Sequence, residues 1–342
     1  MSVKILCVGD PHIQVDNIVE INMFIEKLEE LVINSNPDLI VVLGDILHTH
    51  ERLHTTALNK AYELINMLRK YTRTYILVGN HDYENNSQYL TTKHWMNGMK
   101  EWSNVYVVDK VISLCIGDNS FMFVPYVPPG KFIDALETCE QYNWKTVDCI
   151  FAHQEFAGCK MGAIISIEGD KWCEDYPPVV SGHIHQKQQI GNVYYTGSAL
   201  QHAFGESEKN VIAELLFGVD NEYIKVEHNL ELPRKKIVYV KMDDIDNYEI
   251  KDTSDKIKIT LSGNHDEFKA LKKSEKYKEM IDKGLKVVFK PTKEKKLEQQ
   301  LEGDFIEILD TLVNNKKDVY LLQAYDLIVN NRVTKTDDIM FL

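Results

Sequence analysis

Short apolar runs closed by glycine or a polar residue punctuate the first half of the chain. Ile5-Leu6-Cys7-Val8 leads into Gly9-Asp10, Leu39 to Leu43 into Gly44-Asp45, and Tyr75-Ile76-Leu77-Val78 into Gly79-Asn80. Aliphatic, β-branched runs this short, with glycine at the end, predict buried strands. Val147 to Ala152 leads into His153 in the same way, and Val179-Val180 toward His183. Between the early strands the apolar spacing changes to helical period, with Ile18, Ile21, Ile25, Leu28 and Val32, then Leu58, Tyr62, Ile65 and Leu68. The opening half therefore alternates strand and helix. In open α/β sheets, binding residues collect at the carboxyl ends of strands.

The polar residues at those ends share one chemistry. They are Asp10-Pro11-His12, Asp45, Asn80-His81-Asp82, His153, and His183-Ile184-His185. Imidazole nitrogen mixed with carboxylate and amide oxygen suits manganese, iron, zinc or nickel, and fits calcium or magnesium poorly. Two such ions about 3.5–4 Å apart can clamp the attacking and leaving oxygens of an in-line displacement at phosphorus. A carboxylate can bridge them, and Asp45 is the natural choice. Two dications opposed only by Asp10 and Asp45 leave a charge of about +2, which favours an anionic substrate.

In order, the pieces read D-x-H, G-D, G-N-H-D, H, G-H-x-H over residues 10 to 185, and this resembles the calcineurin-like metallophosphoesterases. The resemblance implies one metal held by Asp10, His12, Asp45 and His185, and a second by Asp45, Asn80, His153 and His183. It leaves His81 free of metal, to stabilise phosphoryl charge or protonate the leaving oxygen. Asp82 is expected to fix the local turn. Further details are similar to the SbcD-type subunit of the SbcCD exonuclease and to phage recombination endonuclease subunits: Gly44-Asp45-Ile46-Leu47-His48, His153-Gln154, and Tyr195-Thr196-Gly197-Ser198 leading to Phe204-Gly205-Glu206. In those nucleases the counterpart of His48 acts with that of His81 at the phosphate. Protein serine/threonine phosphatases instead carry G-D-x-x-D-R-G and G-N-H-E. No tyrosine ligand of the purple acid phosphatase kind is found.

Other candidates are set aside. His50, His54, His94 and His202 lack a matching motif and are read as surface or packing residues. Gly263-Asn264-His265-Asp266 repeats the tetrapeptide of residues 79 to 82 after the β-like run Ile257 to Leu261. No D-x-H or G-D precedes it there, so a Gly-Asn turn between strand and helix is expected.

Composition bounds the rest. A chain of 342 residues predicts a main domain with a smaller one. No apolar run approaches bilayer length, and Met1-Ser2-Val3-Lys4 enters the first strand directly, so neither membrane span nor signal peptide is expected. Cys7, Cys115, Cys139, Cys149, Cys159 and Cys173 show no C-x-x-C spacing and read as reduced thiols of an intracellular, cytoplasmic protein, in the host cell if the chain is viral. The net charge of −13 is unfavourable for binding nucleic acid, but residues 251 to 300 hold fourteen Lys against nine Asp plus Glu. Lys272, Lys273 and Lys276 are the candidate DNA contacts in this segment, with a solvated helix face as the plain alternative. Two amphipathic helices are expected beyond it, on Phe305, Ile308, Leu309 and Leu312 and on Leu321, Leu322, Tyr325 and Ile328, with Asn314-Asn315 as the stop between them. Packing of their apolar faces onto the cap is the ordinary expectation; the resemblance offers the coiled coil of an SMC-like ATPase instead.

The expected architecture is α/β, a four-layer α/β/β/α sandwich over residues 1–232, with a small α+β capping domain over 233–300 and a helical segment over 301–342. The expected function is a metal-dependent DNA nuclease with two divalent ions, manganese first and iron, zinc or magnesium as alternatives. DNA, the ATPase subunit and a second copy of the chain are its candidate partners. The rivals are a small-molecule phosphodiesterase or phosphomonoesterase and a non-catalytic scaffold; scaffolds of this type lose ligands, and here none is missing.

Overall fold

The computed structural model describes residues 2–50, 52–206, 209–218, 223–292 and 305–329. The predicted alternation appears as β1 (Val3–Val8), α1 (Ile18–Ser35), β2 (Leu39–Val42), α2 (Thr55–Leu68), β3 (Arg73–Leu77) and β4 (Val105–Val108). The chain then crosses to a second layer through β5 (Ile112–Ile116), β6 (Asn119–Phe123), α3 (Phe132–Glu137) and β7 (Cys149–Ala152). A small hairpin follows, β8 (Lys160–Met161) with β9 (Ile164–Ile165), before β10 (Val179–Ser181), β11 (Gln188–Ile190) and β12 (Val193–Tyr195). Finally β13 (Ile212–Phe217) and β14 (Tyr223–His228) return to the first layer. One six-stranded sheet runs β14-β13-β1-β2-β3-β4 and the other β11-β12-β10-β7-β6-β5.

Alternation along each strand builds the layers. From the first sheet, Ile5, Cys7, Val41 and Tyr75 face Phe121, Phe123, Phe151 and Tyr194 of the second. Their neighbours Leu6, Val8, Ile40 and Ile76 face the opposite way, onto Ile21, Phe24 and Leu28 of α1 and Leu64 and Ile65 of α2. Met122, Ile150, Val179 and Tyr195 likewise face Phe132, Ala135 and Leu136 of α3. The result is the four-layer α/β/β/α sandwich. Phe121, Phe123 and Phe151 are fully buried between the sheets, each worth about 1.5–3 kcal/mol relative to exposure.

Residues 235–292, which include part of the lysine-rich segment (its remainder lies outside the described residues), form a third sheet, the parallel β15 (Lys235–Lys241), β16 (Lys256–Gly263) and β17 (Lys286–Pro291), with α4 (His265–Leu271) and α5 (Glu275–Asp282) between the last two. Ile259, Leu261, Phe268 and Met280 are its centre. It meets the sandwich through an ion pair of Lys256 with the buried Glu20. Lys235 N–H also donates to Gln201 Oε1 at 2.6 Å.

The repeated tetrapeptide has the plain explanation. Asn264 caps α4, accepting from Asp266 N–H at 2.9 Å while Glu267 Oε2 accepts from Asn264 N–H at 3.2 Å.

The two expected helices form, but the break between them is displaced. α6 (Phe305–Lys316) runs through Asn314-Asn315, and Asn314 donates back to Asp310 O. The turn comes at Lys317, whose φ of 53° is left-handed, before α7 (Val319–Val329). Phe305, Leu312, Val319 and Tyr320 are exposed, so these four side chains do not pack onto the third sheet. All six cysteines are free, and among the described residues no helix is long and apolar enough to cross a membrane.

Candidate metal centre

The two sheets present their strand ends to one another. β1, β2 and β3 are mutually parallel, as are β7 and β10, so each group ends on one edge. The edges meet where His153 Nδ1–H donates to Leu43 O at 2.6 Å. The loops there leave the common backbone regions: φ is 38° at Asp10, 44° at His12, 50° at Asp45 and 75° at His183. For a non-glycine residue this costs about 1–3 kcal/mol and is retained where a site needs the side chain aimed. Gly79 is required for space, since a Cβ there would lie 2.2 Å from Asp45 Oδ1.

All seven predicted ligands converge. Asp45 Oδ1 accepts from His81 N–H at 2.8 Å, which leaves Oδ2 3.5 Å from His12 Nε2 and 3.3 Å from His153 Nε2. Asp10 Oδ1 accepts from His183 N–H at 2.8 Å. Asn80 Oδ1 lies 3.0 Å from His153 Nε2 and 2.9 Å from His183 Nδ1. His12 Nε2 and His185 Nε2 face each other at 2.9 Å. Donor atoms of Asp10, His12 and Asp45 fall within 4.8 Å of one another, as do those of Asp45, His153 and His183. Asp45 belongs to both groups, as a bridging carboxylate must.

These residues fit cations. Asp10 Oδ2 is buried with no hydrogen-bond partner among the described residues, an arrangement that is costly unless a positive charge sits beside it. Burial pushes the Asp10 carboxyl up to about 6, with Asp45 adding to the rise and His153 and His185 opposing it. Burial opposes ionisation of Asp45 as well, but His153, His12 and His81 outweigh it and hold that carboxyl well below the usual range. Burial lowers His12 far below an ordinary imidazole, and burial with the neighbouring His153 lowers His183 to about 3. Both are therefore neutral at pH 7, the form that ligates metal.

His81 and His48 stand at the rim. His81 Nδ1–H donates to His48 O at 2.7 Å, which leaves Nε2 as the nitrogen available for proton transfer. The two rings are near parallel with centroids 5.6 Å apart, and His48 Nδ1 is 3.4 Å from His12 Nδ1. Asp82 works as expected: its oxygens accept from Gly79 N–H and Trp95 Nε1–H, tying two ligand loops to a packed indole.

Two of the histidines read as surface or packing residues are instead at the site. His50 stacks on His81 with centroids 4.7 Å apart. His202 Nε2–H donates to Asp10 O at 2.8 Å, and Glu206 approaches His185 Nδ1 at 3.4 Å. His202 lies between the quoted pieces Tyr195-Thr196-Gly197-Ser198 and Phe204-Gly205-Glu206 but belongs to neither, which is why pattern reading passed over it. The other two have ordinary roles, His54 capping α2 and His94 pairing with Asp109. Lys272 and Lys273 are exposed in the turn between α4 and α5, and Lys276 is half-buried on α5.

A two-sheet sandwich with this His/Asp/Asn set at its strand ends is the architecture of a binuclear phosphoesterase. The chain belongs to the calcineurin-like phosphoesterase family, whose profile matches residues 3–218. It is therefore a metal-dependent hydrolase of phosphoester bonds, in a family built on two divalent ions. It is 50% identical over 277 residues to a protein of Invertebrate iridescent virus 6 that carries the provisional name phosphoesterase 244L, covering 79% of this chain and 98% of that one. A protein of Invertebrate iridescent virus 3, provisionally named phosphoesterase 078R, is 45% identical over 329 residues, 94% of each chain. Among solved structures, a dimetal phosphatase from Danio rerio overlaps 66% of this chain and 95% of its own at 11% identity and a TM-score of 0.41.

Proposed function

We propose that the protein is a DNA nuclease of the SbcD type, hydrolysing phosphodiesters with two manganese ions as the nuclease subunit of an SMC-like ATPase complex in DNA break repair, recombination or degradation. The observation that carries the reading is the pairing of His81 with His48: the His81 ring donates from Nδ1 to the main-chain oxygen of His48 at 2.7 Å, and the two imidazoles lie near parallel with centroids 5.6 Å apart, both against His12. Bound ions supply Lewis acidity at the phosphoryl oxygens and an activated water. Asp10, His12, Asp45 and His185 would hold one ion, and Asp45, Asn80, His153 and His183 the other. His81 Nε2, the nitrogen not used in the bond to His48 O, would protonate the leaving oxygen. Burial lowers its proton affinity, so the anionic substrate must raise it for the ring to serve as acid.

Two surfaces support a polymeric substrate. A cleft of about 980 Å³ leads from His183 and His185 past Lys160, Lys187 and Phe204. The third sheet adjoins the same loop, with Lys235 Nζ donating to His202 O at 2.6 Å. The exposed apolar residues of α6 and α7 support an ATPase contact.

A nuclease assay on single- and double-stranded DNA with Mn or Mg tests the proposal, comparing wild type with His81→Ala, with and without the ATPase subunit. Cleavage by wild type and its loss in His81→Ala is expected. Turnover of cyclic nucleotides with no cutting of DNA would replace the proposal with a small-molecule phosphodiesterase. Truncation after Gln300 is expected to abolish ATPase binding.

A further inference from the structure

We infer that His202 is a further metal ligand, joining His12 and His185 through its Nδ1 at the ion that Asp10 serves. The inference rests on the two-metal reading of the site, and it adds a residue that neither the strand-end motifs nor the seven-residue set contains.

Three observations support it. First, the ring has its tautomer fixed in the manner of a ligand: Nε2–H donates to the main-chain oxygen of Asp10 at 2.8 Å, so the lone pair resides on Nδ1. Metal-binding imidazoles usually anchor their second nitrogen on a carbonyl or carboxylate, as His153 does here on Leu43 O. Second, His202 Nδ1 is buried and has no hydrogen-bond partner among the described residues. A buried unsatisfied acceptor is costly, and a cation removes the cost. Third, the ring sits edge-on to both neighbours, 4.9 Å from His12 and 5.1 Å from His185 between centroids, and a ring nitrogen of each of the three falls within 4.8 Å of the others. The loop is itself anchored, because Glu206 Oε2 accepts from His202 N–H at 2.7 Å and Ala203 N–H at 2.9 Å.

The test measures metal binding rather than turnover. Metal-free full-length protein is titrated with Co(II), following heat and visible absorption, for wild type, His202→Ala and His202→Gln. Glutamine can keep an N–H for Asp10 O while lacking the Nδ1 lone pair. Expected are two sites in wild type, with one weakened at least tenfold in both variants and a changed visible band. Affinity within twofold of wild type in His202→Ala overturns the inference. Full recovery in His202→Gln also overturns it, because His202 would then act only by positioning Asp10. Circular dichroism identifies a variant that fails to fold, and His202→Asn then replaces it under the same criteria. Failure of wild type itself to bind two ions would sink the underlying site reading, a separate result.

Discussion

Asp82 gives the most quantitative test of how the site is held. Its carboxylate, 2% exposed, receives four N–H donors. Oδ2 accepts from Gly79 N–H at 3.0 Å and Ile46 N–H at 3.4 Å; Oδ1 accepts from Trp95 Nε1–H at 2.9 Å and Leu47 N–H at 3.4 Å. Burial and the charge on Asp45 push the group up to about 7 against those donors. None of the four can accept a proton, so the ionised form is the one they satisfy, and cations beside Asp45 remove its repulsion. In Asp82→Asn one oxygen becomes an NH₂, so whichever way the amide turns, one short and one long bond are lost and N–H faces N–H. A short bond to a charged acceptor is worth about 1.5–3 kcal/mol and the long one adds less, so the expected loss is about 2–4 kcal/mol. Trp95→Phe removes only one donor and should cost about 1–2 kcal/mol, with the double variant less than additive. Urea unfolding of metal-loaded protein measures all three. A shift below about 0.5 kcal/mol for Asp82→Asn would refute the assignment of this carboxylate as the tie between the loops.

Gly79→Ala should lose at least about a hundredfold in kcat/KM, because its Cβ would stand 2.2 Å from Asp45 Oδ1 and 2.3 Å from Asp45 N, so that both the carboxylate and its loop backbone must shift; near-wild-type hydrolysis of a phosphodiester would contradict the steric argument. Asp109 has its carboxyl lowered to about 2, burial being outweighed by His94 and Lys100, so its contribution is full above the ordinary carboxyl pKa and disappears as pH falls through about 2. Asp109→Asn should therefore cost about 1–2 kcal/mol at pH 7 and about half that at pH 3, and a deficit independent of pH would exclude the linkage. Combined Lys272→Glu, Lys273→Glu and Lys276→Glu should weaken duplex binding and reduce the salt slope by about 2–3; unchanged affinity at low salt would remove the third sheet from the DNA path.

The convergence of the candidate ligands was legible because it is written locally. Each of Asp10, Asp45, Asn80 and His153 stands one or two residues beyond an apolar run, and a parallel sheet brings such positions to one edge whatever the details of packing. The long helices α1 and α2 were legible for the same reason, their apolar stripes being regular. The rest depends on contacts that no window of sequence contains. His202 meets Asp10 across 192 positions, and His50 reaches His81 through the turn of the loop between β2 and α2. Three-residue strands such as β10, β11 and β12 carry too few alternations to reveal sheet order. Asn314-Asn315 misled because asparagine favours helix ends only where tertiary packing permits, and here the left-handed residue is Lys317.

What separates ligand from scaffold in this site is the number of lone pairs already used. Asp82 has both oxygens saturated by N–H donors, so it can offer nothing to a cation although it lies beside Asn80 in sequence. Asp170 is likewise occupied, by Phe132 N–H on one oxygen and Gln154 Nε2–H on the other. Asp10 and Asp45 each spend Oδ1 on one main-chain N–H, of His183 and His81, and keep Oδ2 free of such donors. That single hydrogen bond aims the carboxylate, and its second oxygen, unpartnered in Asp10 among the described residues and facing the imidazoles of His12 and His153 in Asp45, marks it as a candidate ligand. The same accounting applies to imidazole: His153 and His202 each commit one nitrogen to a main-chain carbonyl and hold the other in the interior. Burial without a partner is destabilising for the metal-free chain, and so is the left-handed backbone at Asp10, His12, Asp45 and His183. Both costs are concentrated at the same few residues and are offset when cations bind, so metal loading should raise the unfolding temperature of this protein as well as enable its chemistry.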